Sequence, residues 1–154
     1  MARVSSAQGT YREVDKDLTI TGAAYVANDC VGGLQTIVFG FDAVGGVLED
    51  IILYDRGAQN AEIEVYVFNK KPTALANADE LLLVDADVKK TILTGTLNDW
   101  RTVGGGSMAR LSDYFERASL GIPYVGKTLY IYLKAVATPD WVVGDLSLKV
   151  VARA

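Results

Sequence analysis

Paired carboxylates are the residues of this sequence whose type and spacing could do chemistry. Glu62 and Glu64 lie two positions apart in an alternating segment, so both would project from one face of a strand, about 7 Å apart. Two carboxylates near that separation can act as the acid and the base of a glycosidase. The same spacing arises on any solvated strand face, and nothing nearby marks a sugar-binding cleft. We therefore expect a solvated face here.

The other reactive side chains lack the partners that their chemistry requires. The 154-residue chain contains no histidine, which removes Ser-His and Cys-His pairs and histidine metal ligands. Cys30 is the only cysteine, and Ser112 has no imidazole base. Asp85 and Asp87 resemble the start of a calcium loop, but Lys90 stands where that loop needs glycine. We expect no enzymatic activity, no catalytic residue, no metal site and no cofactor.

Charge and hydropathy exclude two classes of partner. The chain has 15 Lys and Arg against 19 Asp and Glu, a net charge of −4, and this acidic balance disfavours nucleic acid. The longest apolar runs, such as residues 51–54 and 81–84, are far shorter than the ~20 residues that span a bilayer. The first six residues lack the apolar segment of a secretion signal. We expect a soluble product of the cytosol with no membrane partner.

Aromatic residues favour a binding role over a catalytic one, because Tyr and Trp cover a large interface area at a small entropy cost. We expect Phe39 and Phe68 in the core and the others on loops or edges: Tyr11, Tyr25, Trp100, Tyr124 and Trp141. The residues proposed for a protein interface are Val4, Tyr11, Arg12, Trp100, Tyr124 and Trp141.

Period-two alternation is the strongest local pattern, and it predicts strands because successive side chains leave opposite faces of a sheet. Strands are predicted at 34–41, 47–54, 62–68, 91–97, 100–103, 128–134 and 145–150. The glycine-containing link 42–46 predicts a hairpin between the first two, and their apolar faces predict a central position for both. Residues 108–118 fit a strand or a helix, with strand preferred, and 85–89 fit one or two helical turns.

These elements predict an all-β fold. About eight closely spaced strands are typical of a jelly-roll-like antiparallel β-sandwich, with at most one or two short helical turns. A single domain is expected over residues 18–154. The polar residues 1–17 are expected to form an extended N-terminal arm that becomes ordered against a partner, with Val4 and Tyr11 as anchors.

An ordered series of short segments between residues 18 and 152 resembles the head-decoration, or cement, proteins of tailed bacteriophages. The segments are Ala27-Asn28-Asp29-Cys30-Val31-Gly32-Gly33-Leu34, Gly45-Gly46-Val47-Leu48-Glu49-Asp50-Ile51-Ile52-Leu53, Val65-Tyr66-Val67-Phe68-Asn69-Lys70-Lys71-Pro72-Thr73, Ala78-Asp79, Asp85-Ala86-Asp87, Gly121-Ile122-Pro123-Tyr124 and Thr128-Leu129-Tyr130-Ile131-Tyr132. The resemblance implies a jelly-roll structural protein of the virion.

Such a protein, made in the host cytoplasm, would bind the outer surface of an assembled capsid and clamp neighbouring major capsid subunits. Its partners would be the major capsid protein and copies of itself, as a homo-oligomer, dimer or trimer. Two alternatives stay open: a glycosidase-like enzyme, and a carbohydrate-binding or receptor-binding β-sandwich module of a virion tail. A binding module would present Trp100, Trp141 or Tyr124 over a shallow groove.

Overall fold

The computed structural model describes residues 11–22, 24–40 and 45–154 and consists of two antiparallel sheets. The strands are β1 Tyr11–Asp17, β2 Gln35–Val38, β3 Gly46–Asp55, β4 Ile63–Phe68, β5 Thr91–Leu97, β6 Arg101–Val103, β7 Gly106–Arg110, β8 Ile122–Tyr124, β9 Thr128–Ala135 and β10 Leu146–Arg153. The short helices are α1 Asp85–Val88 and α2 Leu111–Tyr114. The predicted all-β sandwich is confirmed.

Strand pairing follows the nested scheme of a jelly roll. Strands β1, β2 and β3 pair with β10, β9 and β8 near the end of the chain, and β4 pairs with β5, the next strand. One sheet has the order β1-β10-β3-β7-β6, with β8 also on β3, and the other has the order β2-β9-β4-β5. This roll of two packed sheets is the jelly-roll architecture.

The predicted hairpin between 34–41 and 47–54 is wrong. Strands β2 and β3 lie in different sheets, so the chain crosses from one sheet to the other between them. Strand β3 is central, as expected, since it pairs with β10, β7 and β8. Strand β2 is an edge strand and pairs with β9 alone. Residues 41–44 of the expected strand and link lie outside the described residues.

The core is the apolar layer between the sheets. Ile63, Val65 and Val67 of β4 are fully buried and face it, in agreement with the predicted alternation. On β10 the buried side chains are Leu146, Leu148, Val150 and Ala152, while the residues between them are half-buried. Burying this surface at roughly 25 cal/mol per Å² supplies the main force that holds the two sheets together.

The expected N-terminal arm differs from the structure over residues 11–17. These residues form β1, which pairs with β10 along its whole length, from Tyr11 opposite Arg153 to Asp17 opposite Ser147. Its charged residues do not prevent strand formation, because an edge strand turns most of its side chains to solvent and needs only backbone pairing. Deletion of residues 1–17 would therefore remove a strand of the sandwich. Val4 lies outside the described residues.

Residues 108–118 are partly strand and partly helix, so each predicted alternative holds for one part of the segment. Residues up to Arg110 continue β7, and the chain then turns into α2 at Leu111. The carboxylate of Asp50 on β3 holds this turn, since it accepts hydrogen bonds from the backbone N–H and the hydroxyl of Ser112, at 3.1 and 3.0 Å. Arg110 donates to the same carboxylate through Nε and Nη2, both at 2.8 Å. The preference for strand is therefore wrong for α2.

The segment between β4 and β5 covers part of the outer face of the smaller sheet. It contains α1, so the predicted one or two helical turns at 85–89 are confirmed, as a single turn. Leu81 packs with Cys30, Phe68 and Tyr132 in a second buried cluster outside that sheet. Tyr132 holds the segment, since its hydroxyl donates to the carbonyl of Thr73 and accepts from the backbone N–H of Leu75.

Replacing Asp50 by Ala tests the junction of β3, β7 and α2. The variant leaves Arg110 and Ser112 without their acceptor, so we expect the free energy of unfolding to fall by about 2 kcal/mol in urea denaturation. The Asp15→Ala variant is the control, because Asp15 is exposed and lies 3.8 Å from Lys149. An equal loss in both variants would contradict the role of Asp50.

Candidate interaction surface

The loops at one end of the sandwich are tied together by the carboxylate of Asp55. This residue ends β3 and is fully buried. Its oxygens accept hydrogen bonds from the backbone N–H groups of Gly57 and Gln59, both at 2.9 Å, and from the indole Nε1 of Trp141 at 3.0 Å. The carboxylate thus fixes the 56–62 loop and connects it to the loop that follows β9.

Trp141 connects the same carboxylate to a third loop. Its indole ring is fully buried and packs edge-on against Tyr25, with 5.7 Å between ring centroids. The hydroxyl of Tyr25 lies 2.5 Å from Oδ1 of Asn77, and the backbone N–H of Tyr25 donates to the carbonyl of Pro139 at 3.0 Å. Burial is the main cause that raises the pKa of the Tyr25 hydroxyl. Loops from four parts of the chain therefore share one rigid support.

Four exposed valines lie on the loops that this support holds. Val143 and Val142 directly follow Trp141 and are 74% and 59% exposed. Val136 leaves the end of β9, and Val26 follows Tyr25. Backbone bonds bring these loops together, including the bond from Asn28 to the carbonyl of Ala135 at 2.7 Å. We call Val26, Val136, Val142 and Val143 the valine end.

Exposed apolar side chains on rigid loops are suited to protein contact. A solvated valine gains by burial at a partner surface, and loops that are already ordered lose little entropy on binding. The segment 56–62 beside the valine end contributes polar residues, such as Gln59 and Asn60, which suit the rim of an interface. The arrangement can therefore bind a surface.

The residues that the sequence proposed for an interface are not brought together. Trp141 and Tyr124 are buried, so the expectation that they form an interface is wrong, and Tyr25 is buried as well. Trp100 is half-buried, and its Nε1 donates to the carbonyl of Ala61 at 3.1 Å. Tyr11 and Arg12 are exposed on β1. Tyr25, Trp100 and Trp141 lie on loops, and Tyr11 and Tyr124 lie on strands with one neighbour, as expected, but the rings of Tyr25 and Trp141 fill the space between loops.

A second feature lies on the outer face of the smaller sheet. Lys134 Nζ lies 2.6 Å from Oε2 of Glu64, and the hydroxyl of Tyr66 donates to the same oxygen at 2.7 Å. Beside this cluster is an open depression of about 260 Å³ that is bordered by Tyr66, Thr94, Thr96 and Tyr114.

The charges of this cluster hold one another in place. Lys134 and Tyr66 lower the pKa of Glu64 against the opposing effect of burial. Burial acts to lower the pKa of Lys134, but the contacts with Glu64 and Tyr66 outweigh it and raise that pKa. A glycosidase acid needs the opposite shift, towards neutral pH. Glu64 is therefore poorly suited to the acid role considered from its spacing with Glu62.

Asp55 and Asp50 are the positioning residues that the sequence alone did not identify. Each stands at an apolar strand, where an acidic residue is normally taken as the solvent-facing member of the alternation. The one local signal is the run Asp55-Arg56-Gly57, since aspartate before a tight turn often accepts hydrogen bonds from the following backbone. The indole partner, 86 positions away, is not visible in sequence.

The chain was compared with protein families and with curated proteins. No family model matches the chain, and no curated protein matches it. Among the described residues, no helix has the length and apolar character to cross a membrane. Over the same residues, no three or more His, Cys, Asp and Glu side chains are grouped so that they could hold a metal ion.

Replacing Asp55 by Ala tests the support of the valine end. Three donors lose their acceptor, so we expect the free energy of unfolding to fall by about 3 kcal/mol. Amide hydrogen exchange should show faster exchange at Gly57 and Gln59. The Asp15→Ala variant is the control, since the exposed Asp15 side chain lies beside Lys149 on the neighbouring strand. Unchanged protection of Gly57 and Gln59 in the Asp55 variant would refute this role.

The Glu64–Lys134 pair predicts a specific pH dependence. The folded pKa of Glu64 lies below its ordinary value of 4.5, so its stabilisation is complete above pH 4.5 and is lost as pH falls through the folded pKa. The folded pKa of Lys134 lies above 10.5, so its stabilisation is complete below that pH and is lost on further rise.

The measurement is the melting temperature of the wild type against Glu64→Gln between pH 3 and 9. We expect the wild type to be more stable than Glu64→Gln at pH 5 to 9, with a difference in unfolding free energy under about 1 kcal/mol because solvent screens the pair. The difference should be smaller at pH 3. A difference that grows towards pH 3 would contradict the assigned ion pair.

Proposed function

We propose that this protein is a structural capsid decoration, or cement, protein that binds the outer surface of an assembled phage head and clamps neighbouring major capsid subunits. The observation that supports the proposal best is the valine end, an exposed apolar surface on loops fixed by Asp55 and Trp141. The jelly-roll fold and the ordered segments that resemble decoration proteins agree with it. The valine end takes the place of Tyr124 and Trp141, which are buried, as the proposed contact surface.

The two-sheet body with exposed loops at its end is better suited to clamping capsid subunits than to catalysis. A shell repeats each site many times, so a copy that bridges two or three subunits needs only moderate affinity at each contact. A rigid two-sheet body transmits load between its contacts without deforming, because its core is closely packed. The valine end, at one end of this body, leaves the two sheet faces and the opposite end for further contacts.

A matched pair of charge substitutions tests the proposed surface. Val143 and Val125 are 74% and 71% exposed and lie at opposite ends of the sandwich, so either can be changed to Asp with little effect on stability. We expect Val143→Asp to weaken co-sedimentation with empty shells about tenfold or more, since a buried charge without a partner is costly. Val125→Asp should bind as the wild type does.

Equal binding by both variants would reject the valine end as the contact surface. The cementing role has a separate readout, which is the temperature at which shells with and without the protein break open. Bound protein should raise that temperature, and shells that break at the same temperature would reject cementing even if the protein binds.

A carbohydrate-binding role is the second candidate, favoured by the depression beside Tyr66 and Tyr114. Aromatic rings next to threonine hydroxyls and a charged pair can stack on a sugar and hydrogen-bond its hydroxyl groups. This site differs from the one expected at Trp100, Trp141 or Tyr124. It could serve a receptor-binding module of a virion tail.

Oligosaccharide titration followed by tyrosine fluorescence tests this candidate. Saturable binding that is lost in Tyr114→Ala and kept in Tyr11→Ala would support it, because Tyr11, 59% exposed against 47% for Tyr114, belongs to the other sheet. No binding at millimolar oligosaccharide would remove the candidate.

A further inference from the structure

An apolar cavity of about 200 Å³ opens at one side of the sandwich, between strands of the two sheets. Leu93 of β5 contributes to its wall from the smaller sheet, and Ile122 of β8 contributes from the larger sheet. Phe115 and Leu120, from the segment between α2 and β8, complete the apolar lining. Leu120 belongs to the core and the other three are half-buried, so the cavity borders the core and is open to solvent.

One charged residue borders this cavity, which we call the Arg117 cavity. Arg117 is exposed, and it carries the one polar side chain among the five lining residues. Within the described part of the chain, its guanidinium forms no ion pair and no hydrogen bond. Glu49, whose carbonyl accepts from the backbone N–H of Leu120 at 2.7 Å, is already bound to Arg153 and Ser119. The positive charge of Arg117 is therefore free to bind an anion.

The turn that ends α2 fixes Arg117 at the mouth of the cavity. The backbone N–H of Arg117 donates to the carbonyl of Ser112 at 3.0 Å. The backbone N–H of Glu116 donates to the carbonyl of Asp113, also at 3.0 Å, and Glu116 has the left-handed conformation, with φ of 54°. These are the bonds and the conformation of the Schellman motif, which reverses the chain after a helix. Because the turn is already ordered, a ligand would bind at little entropy cost for the backbone.

We infer that the Arg117 cavity is a binding site for a small carboxylic acid that carries one apolar group, such as an arylacetate. The apolar group fills the cavity, and the carboxylate lies at its mouth against the guanidinium of Arg117. A guanidinium presents parallel N–H donors that match the two oxygens of a carboxylate. The apolar group gains by leaving water, as any buried hydrocarbon does.

The volume of the cavity sets the size of the acid. At the roughly 30 Å³ that a water-sized group occupies in a liquid, the 200 Å³ hold about seven heavy atoms. A phenyl ring with one methylene group has that size, so phenylacetate fits with its carboxylate at the mouth. A longer chain would leave apolar carbon in water.

The chemistry of the lining excludes other classes of ligand from this site. A cation would be repelled by Arg117. A sugar would leave its hydroxyl groups without partners, because four of the five lining side chains are apolar. The cavity shares no residue with the valine end or with the depression beside Tyr66. This inference is therefore independent of the proposed function.

Titration of the full chain with phenylacetate, followed by amide chemical shifts, tests the site. We expect saturable shifts at the apolar lining residues with a Kd of about 1 mM or lower, an ordinary affinity for a ligand of this size. The Arg117→Gln variant should raise the Kd about tenfold, because it removes the charged partner. Lys16→Gln is the matched control and should bind as the wild type does, since β10 and β3 separate β1 from β8. Wild-type affinity in Arg117→Gln would overturn the site.

Analogues that keep the ring and change the polar group isolate the contribution of charge. We expect neutral 2-phenylethanol to bind the wild type about tenfold more weakly than phenylacetate, and to bind Arg117→Gln and the wild type equally. Cationic phenethylamine should bind more weakly still. Equal affinity for the acid and the alcohol, or no saturable shift at millimolar phenylacetate, would overturn the site.

Two further measurements locate the ring and identify the source of the acid. The Leu93→Phe variant places a ring in the cavity, so phenylacetate and 2-phenylethanol should both bind it more weakly; unchanged affinity for both would overturn the site. Acetylphenylalanine represents the last residue of a protein partner. It should bind more weakly than phenylacetate, because its amide group exceeds the volume of the cavity. Tighter binding of acetylphenylalanine would overturn the assignment to a free small acid.

Discussion

Backbone pairing between the two ends of the chain is the constraint on which the rest of the structure depends. Strand β10 holds β1 on one side and β3 on the other, so one sheet exists only when the last strand inserts between two early ones. The same holds for β9 between β2 and β4. Each inserted strand is apolar on its core side, and burial on that side compensates the entropy of long-range closure.

Two buried carboxylates connect the paired strands to the helix and loops around them. Asp50 and Asp55 both belong to β3, which pairs with three other strands. Asp50 accepts hydrogen bonds from α2, and Asp55 accepts hydrogen bonds from the loops at the valine end. Both are buried, and both accept several hydrogen bonds, which is the condition under which a buried carboxylate is tolerated. Strand β3 is thus both the centre of its sheet and the support of the loops.

Alternation in the sequence identified most strands but could not identify their partners. The pattern at 62–68 and 128–134 gave the correct buried faces, because the two-residue period is a local property of a strand. The partner of β2 is β9, far along the chain, and a glycine-containing link to the next strand suggested a hairpin instead. The role of Trp141 was mistaken for a similar reason, since its burial depends on Tyr25 and Asp55 together.

The nested pairing also implies an order of assembly. The β6–β7 hairpin closes a link of two residues and the β4–β5 pair closes residues 69–90, whereas β1 and β10 must meet across nearly the whole sequence. Because the entropy lost on closing a loop grows with its length, we expect folding to begin at these local pairs and the pairing of the two chain ends to come later. Strand β1 would then be the last to dock and the first to detach when the protein is strained or heated.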